Sequence, residues 1–512
     1  MIKSTRWRRT GKLALLLMVL SLNTCSGATA TQPTEQPTSF SVPLIVHNTA
    51  SPTPAPPTPT PEPQLMVPSF ARQDTPTTND LTQDGQSWSQ ASPILIDAYG
   101  KLIVPSQRLN NGNKSNIFVF SNDSGRTWHD NNAMSEAFIE RGTAAYDAKN
   151  DVIHMLWIGT SADDGVFYRR YAPRRDASKN ITAIDRANDK SLILDRRQTG
   201  DMFYQHPVLL HMTDDSFGAN GALLAIWSVR QGSGKLGNEI RASLCILKDK
   251  ADACEQAASW SAPAGVSTSS LESAPLVGYT ALVANRTASI AYASALRKRA
   301  GTNAGDVYLF YHDGAGDGTG SWIFQRMRWD NTTQRWNGLT AAATIALQQR
   351  AGHDTGYNLK QQLGSRPVED PAHDRIYFGF ANWKDDHDGD TWSFTVVDAA
   401  HDDALNPIVD VYSAGGAHSY APTGDITFDD TSARLVVSYI ETKTQHVYVR
   451  LYDGEAATSA ALLAFDRAPV DIPLLAWPAR AGATNKLLMI FRDTINTPNP
   501  PYHGWAGTVT WN

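Results

Sequence analysis

Arginines, a tyrosine, histidines and carboxylates stand just ahead of several short apolar runs in this chain, at places where a strand would begin. Arg141 precedes Thr143, Asp201 and His206 precede Pro207, and Glu272 precedes Pro275. Further along, Arg366 precedes Pro367, Tyr420 precedes Pro422, and Arg467 precedes Pro469, while Arg230 closes the run that follows Pro207. Arginine forks pair with a carboxylate through two parallel hydrogen bonds. A tyrosine beside a carboxylate can act as a nucleophile, and a protonated Asp or His can supply the acid. Tyr420, Glu272, His206 and Asp201 are therefore the catalytic candidates, and Arg141, Arg366, Arg467 and Arg230 the binding candidates. Together they suit an acidic sugar.

Positioning such groups requires a frame that gathers many strand starts at one place. The chain repeats a unit of alternating apolar residues, a turn with Asp or Gly, and a second apolar strand. It reads as Pro93–Asp97 with Leu102–Val104, Ala144–Asp147 with Val152–Trp157, and Pro207–Leu210 with Leu223–Trp227. The later copies are Pro275–Val277 with Ala288–Tyr292, Pro367 with Arg375–Phe378, Pro422 with Arg434–Tyr439, and Pro473–Leu475 with Lys486–Phe491. Long helical periods are hard to find, so the class is all-β. Such a repeat predicts a β-propeller of six or seven four-stranded blades, seven by this count, sealed by strands from both chain ends. Gly504–Trp511 reads as a late strand of the last blade, with Trp88–Ala91 as its outermost partner.

One turn carries a fixed side-chain pattern. In Ser121-Asn-Asp123-Ser-Gly125-Arg-Thr127-Trp128, Asp123 can bond nearby N–H groups, Gly125 can take a positive φ, and Trp128 opens the next strand. The pattern S-x-D-x-G-x-T-W resembles the Asp-box, or BNR repeat, of sialidase-superfamily propellers. Worn versions read Gly85–Trp88, Gly320–Trp322 and Gly389–Trp392. The resemblance implies an exo-sialidase-like hydrolase of a secreted bacterial protein, with three arginines for the sugar carboxylate, a Tyr nucleophile with a Glu partner, and an Asp acid. The R-I-P-like motif of such enzymes is missing from the first blade, where Ala91-Ser92-Pro93 stands, while Arg467-Ala-Pro469 has its form near the other end. Two alternatives stay open: a non-catalytic glycan- or protein-binding propeller, and a polysaccharide lyase in which His206 and Tyr420 move protons beside an arginine-bound uronate.

The remaining features bear on location. Lys3, Arg6, Arg8, Arg9 and Lys12 precede the apolar run Leu13–Leu22, so residues 1–30 read as an export signal. Leu22-Asn-Thr-Cys25 resembles a lipobox and Ala28-Thr-Ala30 an ordinary cleavage site, which predicts an extracellular or cell-surface protein, lipid-anchored if Cys25 is modified. Residues 31–65 form a Pro/Thr-rich spacer, and 66–512 the propeller. Of the three cysteines, Cys245 and Cys254 remain as a disulfide pair. Asp385–Asp390 reads better as a turn than as a metal loop, and neither a metal nor a cofactor is expected. A net charge of −6 gives no basic surface for nucleic acid. The expected partner is a glycan or glycoconjugate, met by a monomer.

Overall fold

A computed structural model describes residues 65–71 and 94–511, apart from 111–112, 126, 132–138, 160–164, 189, 197–201, 214–216, 232–237, 248–249, 251, 262–276, 287–288, 315–319, 331, 333–334, 346–364, 383–387, 416–423, 442–443, 445, 466–473, 477–485 and 494–502. The described strands form seven antiparallel sheets of four or five strands. In five of them the fourth strand is broken in two, both pieces pairing with the third strand. First strands of neighbouring sheets pack together at five of the seven junctions, which makes them the innermost ring of a β-propeller.

In chain order the innermost strands are Leu95–Ile96, Ile139–Asp147, Met202–Met212, Ser289–Arg297, Val368–Asp370, Gly424–Asp429 and Leu474–Ala476. Three of them end on an aspartate and the first is followed directly by one, and each of these aspartates caps the following hairpin. Asp97 accepts the Lys101 N–H at 2.7 Å, Asp147 the Lys149 N–H at 3.0 Å, Asp370 the Ala372 N–H at 3.1 Å and Asp429 the Thr431 N–H at 3.0 Å. These are the expected Asp turns of the repeat.

The core consists of seven apolar clusters, one at each junction between sheets. Leu95, Phe118 and Ile153 join the first two sheets, and Leu156, Leu209 and Trp227 the second and third. Phe310 stacks on Phe378 at 4.3 Å between the fourth and fifth. Leu488 packs among Leu102, Val119 and Trp128, which joins the seventh sheet to the first and closes the ring. Burial of this apolar surface, at roughly 25 cal/mol per Å², makes each junction a stabilising unit.

Three expectations are corrected. The strand that completes the last sheet is Leu65–Ala71, paired with His503–Trp511, whereas Trp88–Ala91 lies outside the described residues. The fourth sheet opens on Ser289–Arg297, so the described part of the Ala288–Tyr292 run, from Ser289, belongs to a first strand and not to a second one. Gly320–Trp322 and Gly389–Trp392 lie within the third strands Gly320–Asp330 and Asp388–Asp398, so neither is a turn between outer strands.

The 121–128 turn does join a third strand, Asn113–Ser121, to a fourth, His129–Asn131. Asp123 accepts the Thr127 N–H at 2.8 Å and its hydroxyl at 2.7 Å, and the Trp128 indole donates to the Gly125 carbonyl at 3.0 Å. Gly125 has φ +91° and lies against Leu488, where a Cβ would meet the leucine at 2.9 Å. Asn122 reaches the second sheet, accepting the Ile181 N–H at 2.8 Å and donating to its carbonyl at 3.0 Å.

Cys245 and Cys254 form a disulfide with both residues buried. No described helix is long and apolar enough to cross a membrane. Residues 1–64, with Cys25 and the spacer, lie outside the described residues.

Candidate functional site

Each of the seven loops leading into an innermost strand lies wholly or largely outside the described residues, and with them Asp201, Tyr420 and Arg467. Glu272 is also outside, and it precedes Thr280–Arg286, which is an outer strand of the third sheet. Glu272 therefore does not lead into an innermost strand, because two apolar strands in tandem, Thr280–Arg286 and Ser289–Arg297, shift the phase of that repeat. Arg141 falls in Ile139–Asp147, opposite Ile158. His206 falls in Met202–Met212 at a register shift, and Arg230 pairs with Phe203 on the neighbouring strand. For these three only the backbone is described. Of the eight catalytic and binding candidates, Arg366 is the one whose side chain is described.

Arg366 follows Ser365, whose N–H donates to the Gly379 carbonyl at 2.8 Å and whose hydroxyl accepts the Gly379 N–H at 2.9 Å. That double bond fixes the backbone at the start of the fifth sheet. From there the guanidinium reaches across to Asp425, the second residue of Gly424–Asp429, at 3.9 Å. The arginine side chain is 38% exposed and the aspartate 5%. Asp425 also accepts the Leu475 N–H at 3.1 Å, from the innermost strand of the seventh sheet. On the other side the Ser294 hydroxyl donates to the Ser365 carbonyl at 3.1 Å. Polar contacts thus run from the fourth sheet through the fifth and sixth to the seventh, all at innermost strands. Burial pushes the Asp425 carboxyl up from its ordinary range, against the opposing pull of Arg366 and two N–H groups.

The floor beside Asp425 is tight. Gly424 faces Trp392, and a Cβ there would lie 2.1 Å from the Ser438 carbonyl and 2.7 Å from the indole. The Ser438 hydroxyl donates to the Asp425 carbonyl at 3.2 Å and accepts its N–H at 3.2 Å.

His312 also lies near the strand-start end, opposite Ala291, with its ring edge-on to Trp322 at 5.6 Å. It is 5% exposed, its Nε2 has no hydrogen-bond partner, and burial pushes it down to about 3. Between the second and third sheets, Arg241 bonds Asp195 at 2.7 Å and Glu239 at 2.9 Å, all three buried. His154 is buried within the second sheet, with Nδ1 2.7 Å from the Tyr168 hydroxyl. No cluster of three or more His, Cys, Asp or Glu able to hold a metal occurs among the described residues. Asp425 and His312 carried no motif in the sequence; Asp425 was readable only as the polar residue just inside a strand that starts after Pro422.

No protein-family model matches the sequence, and no curated protein does. Among solved structures, the polysaccharide lyase Uly1 is similar at 9% identity and a TM-score of 0.44, with 87% of this chain and 98% of that one covered. The GH93 α-L-arabinofuranosidase of Fusarium graminearum is similar at 11% identity and 0.39, covering 87% and 98%. The α-L-arabinanase of Penicillium chrysogenum follows at 10% identity and 0.35, covering 88% and 98%. At these values the likeness carries nothing about chemistry, and what stands on the chain's own strand order is an all-β propeller with a ring of seven sheets.

Proposed function

We propose that the protein is a carbohydrate-active propeller whose innermost strands hold the carboxylate of an acidic sugar, and that it hydrolyses the linkage of a terminal, sialic-type residue. One observation carries this reading: the half-exposed guanidinium of Arg366 is held over the buried carboxyl of Asp425 where the fifth, sixth and seventh sheets begin. An arginine fixed at one end and open at the other is ready for bidentate pairing with an incoming carboxylate. Asp425 is then a positioning residue.

Arg141, Arg467 and Arg230 are the further binding candidates, and Tyr420, shortly before Asp425 in the chain, the nucleophile. Asp201 or His206 protonates the departing glycosidic oxygen, and water then releases the sugar from the tyrosine. The same reading takes the chain as an exported monomer with a spacer behind Cys25.

Incubating the chain with a fluorogenic sialoside tests this. Release of the fluorophore by the wild type, lost in Arg366→Gln and in Tyr420→Phe, is the expected result. A folded chain that releases nothing, or an unsaturated product absorbing in the ultraviolet from uronate polymers, would replace hydrolysis with binding or with a lyase.

A further inference from the structure

A row of apolar side chains runs outward across the sixth sheet from the glycine next to Asp425. Gly424 pairs with Tyr439, Tyr439 with Tyr448, and Tyr448 with Leu463, so one residue from each of four successive strands falls in line. Directly paired residues share a face of the sheet. Tyr439 and Tyr448 both pack toward the fifth sheet, in the cluster that contains Trp392 and Phe394. From the outer strand of that sheet Tyr412 adds a third ring. The Tyr412 and Tyr439 rings lie 5.2 Å apart at 16°, and Tyr439 and Tyr448 5.5 Å apart at 15°.

The row opens to solvent with distance from the channel. Tyr439 is 6% exposed, Tyr448 is half-buried, and Leu463 is 40% exposed, one of three large hydrophobics so exposed among the described residues. Glu441 flanks it: its carboxylate accepts the Thr444 hydroxyl, and its charge acts on the Tyr448 phenol. Because the three rings are stacked as a shelf, Tyr439 is covered on both sides, and the half-buried Tyr448 at the outer end of the stack offers a ring to C–H groups with the Glu441 carboxylate beside it as an acceptor for hydroxyls. Those are the two surfaces of a neutral pyranose ring. Neighbouring strands are spaced by about 4.8 Å, comparable with the length of one sugar unit.

We infer that Tyr448, Leu463 and Tyr412 form a subsite for neutral sugar units that follow the acidic residue held at Arg366. The inference rests on the acidic-sugar reading of that site, and the shelf is continuous with it through Gly424. A glycan bound this way lies radially over the junction of the fifth and sixth sheets.

The test is an array of acidic and neutral oligosaccharides of graded length, probed with the full chain. The wild type is expected to bind longer glycans more tightly than short ones. Tyr448→Ala is expected to lose about ten-fold on the longer ones and to leave the shortest acidic ones unchanged. Tyr448→Phe, which keeps the ring, is expected to bind like the wild type and guards against a folding artefact. Arg366→Gln should weaken acidic glycans of every length. The subsite is overturned if the wild type binds no glycan, if Tyr448→Ala weakens short and long glycans alike, or if it weakens neither. Failure of the acidic-sugar reading alone has a different signature: binding confined to neutral glycans, sensitive to Tyr448→Ala and indifferent to Arg366→Gln.

Discussion

Arg366 and Asp425 stand 3.9 Å apart across the junction of the fifth and sixth sheets, with the arginine 38% exposed and the aspartate 5%. The asymmetry separates their roles. The aspartate has its second obligation indoors, to the Leu475 N–H, while the arginine keeps an open side. The pair therefore fixes a cation at the ring without neutralising it toward solvent.

The pH dependence of Asp425→Asn follows from that arrangement. Burial raises the native pKa of Asp425 above its unfolded value near 3.8. A carboxyl so raised binds its proton more tightly when folded, so its contribution to stability is lost as pH climbs through and above 3.8. The amide that replaces it does not titrate and can still accept from Leu475. The stability of Asp425→Asn relative to wild type is expected to improve between acid and neutral pH in denaturant titrations, while acidic-ligand affinity falls. A difference that is flat with pH would show that the aspartate is not strained by burial.

Gly424→Ala probes the floor of the same site. A methyl there meets the Ser438 carbonyl at 2.1 Å and Trp392 at 2.7 Å, and neither is a flexible tip. Overpacking of this kind costs about 1–3 kcal/mol, and the backbone carbonyl puts Gly424→Ala at the upper end. Thermal unfolding checks it; a midpoint within a degree of wild type would contradict the close packing.

Much of this frame was legible because period-2 runs, Asp turns and proline breaks recur, as in Ala144–Asp147 with Val152–Trp157. Phase was lost where a sheet boundary leaves no signal. Thr280–Arg286 ends one sheet and Ser289–Arg297 begins the next, with the same apolar alternation and two residues between them. The closing strand was missed because it begins at Leu65, where the Pro/Thr-rich spacer ends, and carries Pro68. Proline lacks an N–H, and here it sits in an outermost strand at a register shift between Met66 and Ser69, where none is needed. Arg366 was legible from its place before a strand. Asp425 and His312 were not, because their significance is burial beside partners remote in sequence.

Asn122→Ala removes both bonds to Ile181, at 2.8 and 3.0 Å, and with them one of several polar ties between the first and second sheets, leaving Arg175–Asp97 and Lys101–Asn180 in place. The Ile181 N–H and carbonyl lose their partner, which costs about 1–3 kcal/mol. Asp123→Ala, which breaks bonds to the exposed Thr127, is expected to cost less because water replaces the carboxylate there. Chemical denaturation ranks the two, and equal losses would mean that the turn acts as one unit.

Reducing the Cys245–Cys254 disulfide relaxes a loop of separation 9. Loop-closure entropy for so short a loop gives roughly 2.5 kcal/mol. The double Cys→Ser variant is expected to lose about that much stability and no ligand affinity, since the bond lies in the third sheet, away from Arg366. A fall in affinity at unchanged stability would tie the bond to the site instead.

Two buried histidines contribute to the loss of stability in acid. Burial pushes His154 down to about 4 and His312 to about 3. Their unfolded values are near 6.5, so between pH 6.5 and about 4 the unfolded chain binds protons that the native chain refuses. Stability is therefore full above 6.5 and falls as pH drops through that window, by about 1.4 kcal/mol per pH unit for each histidine. His312 is the cleaner probe, because its Nε2 has no partner to lose. His312→Leu is expected to flatten the acid slope by one proton and to leave neutral-pH stability nearly unchanged, measured by urea midpoints from pH 7 to 4. An unchanged slope would mean that His312 takes up its proton in the folded state.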